Sequence, residues 1–154
     1  MNELTLLLNS PIPTEYEIKH TANEILALND ELSSKNLRLT EAEAREIAET
    51  RLTSLRQNSR VEIGLGATKR IIKKFSESAF VSRRDLPELV NFLADIFYFI
   101  KTETRDAISD AELVDILFDK FENFCAGSPE LLADICDELI AGFNRTGRFC
   151  TEDI

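Results

Sequence analysis

The sequence predicts an all-α fold, a compact irregular bundle of about six helices around a central apolar helix at about 86–104. Three observations carry that expectation. With 5 Gly and 4 Pro in 154 residues, the chain has too few turn-formers for an all-β fold. Its apolar residues, 44% of the total against 30% charged, recur at helical spacing in segment after segment. Finally, Leu86–Ile100 (LPELVNFLADIFYFI) is apolar at eleven of fifteen positions, and Glu88, Asn91 and Asp95 fall on one narrow stripe. A helix apolar nearly all round is sheathed by other helices. At about 15 residues, with carboxylates inside it, the segment is too short and too polar to span a bilayer.

The chain begins with a short apolar segment, Leu4–Leu8, expected to pack on the bundle, and Pro11 and Pro13 impose an extended connection. Thr14 and Glu17 form a capping box that opens a helix over 15–34, with Ile18, Ala22, Ile25 and Leu32 along one face. Thr40 and Glu43 open a second, over 41–58, whose narrow stripe (Ala44, Ile47, Ala48, Leu52, Leu55) and charged remaining faces predict an outer position. Val61-Glu62-Ile63 reads as one extended turn before Gly64-Leu65-Gly66. A third helix, 66–77, points Ile71, Ile72 and Phe75 inward and carries Lys69, Arg70, Lys73 and Lys74 around its other faces. Asp85, with Glu88 completing a capping box, starts the central helix. Ser109 and Glu112 cap a helix over 110–125, with Leu113, Ile116, Leu117, Phe121 and Phe124 inward and Gly127 at its C-terminal αL position. Ser128-Pro129 starts the last helix, 129–143, whose core face runs Leu131, Leu132, Ile135, Cys136, Leu139, Ile140 and Phe143. No repeat, linker or low-complexity stretch divides the chain. It reads as one domain, 1–154, with 1–13 an N-terminal arm and 144–154 a flexible tail.

A net charge of −10 argues against nucleic-acid and anionic-lipid partners, since the molecule repels both at long range. The charge is uneven: residues 85–154 carry a net −11 and residues 63–84 a net +5. Three cysteines without framework spacing argue against a secreted disulfide scaffold; Cys125 and Cys136 occupy apolar helical positions and Cys150 a polar tail. The N-terminus lacks the basic start and long apolar run of a secretion signal, so the default location is cytoplasmic.

No cofactor or metal motif is complete. Glu17-x-x-His20 has the spacing of a metal pair on a helix, but His20 is the only histidine, so neither a second pair nor a Ser-His-Asp relay can form. Lys101–Glu112 resembles the second half of a calcium loop in Ser109 and Glu112, yet has Lys101 first and Arg105 fifth, where carboxylates belong. The candidate binding site is an anion site at the start of the third helix. Gly64 and Gly66 can open backbone N–H groups to an anion, and Thr68, Lys69, Arg70 and Lys73 add a hydroxyl and positive charge. Its order of residues is not that of a Walker loop. Read as helix-turn-helix DNA binding, residues 41–55 and 66–77 are separated by a connection longer than the usual turn.

Three stretches carry a family resemblance: NLRLTEAEAREIAETRLTSLR at 36–56, RVEIGLG at 60–66 and LADIFYFIKTETRDAISDAELVDIL at 93–117. With these the chain resembles an uncharacterised bacterial family of small helical proteins. The resemblance implies a bacterial cytoplasmic protein and assigns no functional residue. With no nucleophile relay, metal set or phosphate loop, the sequence leans away from an enzyme. It points to an interaction or adaptor domain that offers an acidic helical surface or an apolar groove to a protein partner. The Phe and Leu content of the last two helices also suits self-association. The alternative is a nucleic-acid or phosphate-ligand binder using Gly64–Lys74.

Overall fold

The computed structural model describes residues 12–148, and these are all-α, with no strand. The longer helices are α1 (Glu15–Leu26), α2 (Glu41–Gln57), α3 (Gly66–Phe75), α4 (Leu86–Glu103), α5 (Asp110–Asn123) and α6 (Pro129–Thr146). Helix α4 is the hub. It packs against α2, α3 and α6, while α5 bridges α3 and α6 and α1 lies on the far side of α2. Its inner face is fully buried, with Val90, Leu93 and Ile100 at 0% exposure. Phe75 of α3 meets Phe118 and Phe121 of α5 edge-on, each at 5.3 Å between ring centroids, so aromatic packing joins the bridge to the core.

The two Thr capping boxes form as the sequence predicts. Thr14 and Glu17, and Thr40 and Glu43, exchange reciprocal side-chain-to-backbone hydrogen bonds. The first helix, however, does not run unbroken to 34. At Leu28 the amide bonds to the carbonyl of Ile25, one residue short of the α pattern, and a single turn at Asn29–Leu32 and a 3₁₀ turn at Ser33–Lys35 follow. The buried Asn29 side chain brackets the backbone of Leu39, accepting from its N–H at 2.7 Å and donating to its carbonyl at 2.9 Å. This clamp ties the redirected turn to the chain entering α2.

The remaining boundaries shift for local reasons. Asp85 makes no side-chain cap for α4. It instead closes the preceding turn, accepting from the Ser82 hydroxyl at 2.8 Å and donating its amide to the same oxygen at 3.2 Å. Helix α2 is not an outer helix, since α1 covers one side of it and α4 the other. Helix α6 runs three residues beyond 143 and ends on Gly147 at φ 73. Two expected core residues face out: Phe124 is 51% exposed beneath the Lys120 ammonium, 4.0 Å from its ring centroid, and Leu131 is 50% exposed. Leu4–Leu8 and Cys150 lie outside the described residues. None of the described helices is long and apolar enough to cross a membrane.

Candidate functional site

The anion-site residues are distributed over two faces of the start of α3. Gly64 (φ 75) and Gly66 (φ 44) form the exposed turn, and Lys69 and Arg70 point outward on the first turn of the helix. Lys73 pairs with Glu31. Thr68 lies on the opposite face, 1% exposed, against Tyr98. No side chain caps this helix start. The carboxylate nearest it belongs to the chain: a Cβ on Gly66 would stand 2.8 Å from Oε1 of Glu62. Farther along, Arg70, Lys73 and Lys74 border a cavity of about 260 Å³ between α3 and α5, with Glu77 just past the end of α3 and Asp115 contributed by α5.

Beneath the turn, apolar and charged positions are exchanged. Val61 and Ile63 are 79% and 97% exposed, while Glu62 between them turns inward. Its carboxylate accepts from the Arg51 guanidinium at 3.1 Å and from the Tyr98 hydroxyl at 3.0 Å. Arg51, 4% exposed, also donates to the Gly64 carbonyl, which fixes the turn. Burial raises the Tyr98 phenol above its ordinary pKa of 10.0, and the adjoining Glu62 carboxylate adds to the rise. The hydroxyl therefore stays a donor.

The incomplete calcium loop is filled by the chain itself. The buried Lys101 ammonium donates to the Ile108 carbonyl and lies 2.9 Å from Asp110 and 3.7 Å from Asp106. Arg60 meets Asp106 from the other side and holds its carboxyl below the ordinary value. A tethered cation thus sits among oxygens of the kind that a metal ion takes. Glu17 is likewise engaged by the Thr14 amide and by Arg56, and His20 by Glu24 at 2.9 Å. Among the described residues no group of three or more His, Cys, Asp or Glu could hold a metal ion.

At the opposite end of α4 lies a groove of about 330 Å³. Val81, Leu89, Phe92 and Phe121 supply apolar surface, Phe80 (51% exposed) stands at the edge, and Asp85, Glu88 and Glu130 place three carboxylates around it. Gly127 makes the wall possible. It sits at φ 82, and a Cβ there would collide with the Phe80 Cβ and stand 2.7 Å from its Cγ. The expected polar stripe of α4 is only partly wet: Glu88 and Asp95 are exposed, Asn91 is half-buried, and Phe92 and Phe99 share that side of the helix. Among the described residues no Lys or Arg forms an ion pair with Asp85, Glu88 or Glu130. Sequence reading missed the groove because its walls come from three separate segments, although the exposed-side Phe92 beside Glu88 was a visible signal.

A family model described as a family of unknown function (DUF6323) matches residues 24–149. The chain belongs to this family. The match takes in α2 to α6, and with them both ends of α4. No curated protein and no solved structure matches the chain. Membership in DUF6323, a family of unknown function, assigns no residue a role.

Proposed function

We propose that this member of DUF6323 is a non-enzymatic interaction domain whose groove at the N-terminal end of α4 takes a segment of a partner protein. The observation behind this reading is the open groove edged by Phe80, where Val81 and Phe92 are only half-buried and the buried Leu89 and Phe121 lie at its base. A concavity of this size suits one or two anchoring side chains of a docked segment. Cytoplasmic residence goes with the proposal, since Cys125 and Cys136 are buried free thiols. The test is a photo-crosslinking amino acid placed at Phe80 and, separately, at the exposed Val61. The expected result is a discrete protein adduct from position 80 alone, lost when Phe92→Asp is added. Identical adducts from both positions, or none from either, would contradict it.

A second reading keeps the basic face of α3 as an anion site. In its favour, Lys69 and Arg70 are exposed beside the uncapped helix start, and Arg70 continues into the basic side of the α3–α5 cavity. Binding of a polyphosphate or nucleic acid should then fall steeply with salt and disappear in Lys69→Glu with Lys73→Glu. Unchanged binding in that double variant removes this reading.

A further inference from the structure

We infer that the segment taken by the α4 groove is cationic and amphipathic, an apolar anchor flanked by Lys or Arg; the inference rests on the docking reading above. Two independent features lead to it. The first is the apolar floor of Val81, Leu89 and Phe92 with Phe121 at its base, which asks for an apolar side chain. The second is the charge around it. Asp85, Glu88 and Glu130 border the groove, and the ion-paired cations of the described chain all have other carboxylate partners. Asp85 and Glu130 bond locally to Ser82 and Ser128 hydroxyls, which orient the carboxylates and leave their charge uncompensated by a paired cation.

A docked anionic segment would bring like charge against these three groups in a low-dielectric contact, and a neutral one would leave them facing apolar surface. A cationic segment meets them with opposite charge. It is also attracted from a distance by a chain of net −10. A second copy of this chain shares the net charge and is repelled at long range. Arg83 and Arg84 lie beside Asp85, and Arg83 is turned toward the Arg38 carbonyl at 3.5 Å. The acidic side is therefore set by Glu88 and Glu130 most directly.

The experiment is calorimetric titration of the full chain with a synthetic amphipathic helical peptide of Leu and Lys, and with its counterpart in which every Lys is Glu. Saturable binding of the Leu–Lys peptide is expected, weakened on the order of tenfold by Glu88→Lys with Glu130→Lys and similarly by Phe92→Ala. It should be unchanged by Glu46→Lys with Glu49→Lys on α2, which line a different pocket. Equal weakening by both charge-reversed pairs would overturn the inference, because it would show general attraction to an acidic protein. Binding of the Glu peptide instead, with loss on Phe92→Ala, would overturn the cationic assignment and leave the docking reading standing. Concentration-dependent dimerisation abolished by Phe92→Ala would put a second copy in the groove and overturn the inference as well. Absence of any photo-crosslink from position 80 in the otherwise unaltered chain is the separate result that would remove the docking reading itself.

Discussion

The two ends of α4 treat charge in opposite ways. Toward the C-terminal end Glu62 meets Arg51 and Tyr98, Asp110 meets Lys101 and Asp106 meets Arg60, and in mid-helix Asp95 accepts from Ser54. At the N-terminal end Asp85, Glu88 and Glu130 surround an apolar groove without a paired cation among the described residues. Charges satisfied internally hold a fold in register. Charges left open beside apolar surface are available to another molecule. Substitutions at the first end should therefore cost stability, whereas at the second they should cost binding.

The largest effect should come from Arg51→Ala. It leaves the inward Glu62 carboxylate without its cation and frees the Gly64 carbonyl, so unfolding in urea should show a loss of about 3 kcal/mol. A loss below about 1 kcal/mol would mean that the pair is no more than a surface ion pair and would break the contrast.

Gly127→Ala tests the wall of the groove. A side chain there meets both an unfavourable φ and the Phe80 ring, and the expected cost is about 2 kcal/mol. Combined with Phe80→Gly, which removes the clashing Cβ as well as the ring, the loss should be about 1 kcal/mol smaller than the sum of the two single losses, leaving the backbone part of the penalty. Additive losses in the double variant would show that Phe80 does not pack on this turn.

The dry core between the two ends gives a third test. Burial, with Asp137 and Cys125 nearby, pushes the Cys136 thiol from its ordinary 9.0 up to about 12. The folded state thus holds this proton after the unfolded state has released it. The stability associated with it is fully present below pH 9 and is lost as pH rises toward 12, by up to about 1.4 kcal/mol per pH unit. In Cys136→Ala the decline of stability with pH above 9 should be shallower. An unchanged decline would show that the thiol is not in a dry site.

The smallest effect belongs to the open end. Glu88→Gln with Glu130→Gln removes two exposed charges that have no cation to lose, and unfolding stability should move by no more than about 0.5 kcal/mol. A loss comparable with that of Arg51→Ala would place these carboxylates in the same structural class as Glu62 and erase the contrast.

What could be read from the sequence follows the distance over which each feature is determined. The Thr14–Glu17 and Thr40–Glu43 boxes were legible because both partners lie within one turn. The central helix was legible because an apolar run of that length has few ways to be buried. The start of α4 was misread because two local signals compete there, and Ser82 claims the Asp85 carboxylate that would otherwise cap the helix. At Val61-Glu62-Ile63 the apolar alternation suggested nothing about an inward Glu, since the reason lies 11 residues back in Arg51 and 36 residues on in Tyr98. Phe124 and Leu131 fit the helical period but fall at helix ends, where the bundle no longer covers them. Of the candidate anion site, sequence placed Gly64, Gly66, Lys69 and Arg70 on one exposed turn, and could not place Thr68 on the buried side. The groove depends on the meeting of three segments, which no local pattern specifies.

The most direct test of the docking claim is a residue-by-residue NMR titration of the full chain with the Leu–Lys peptide. Amide shifts are expected to concentrate in residues 80–92 and 127–130, with the Arg51–Glu62–Tyr98 region unmoved. Shifts centred on Gly66–Lys74 or on the α2 face around Glu46 and Glu49 would contradict that claim and move the binding surface to another part of the bundle.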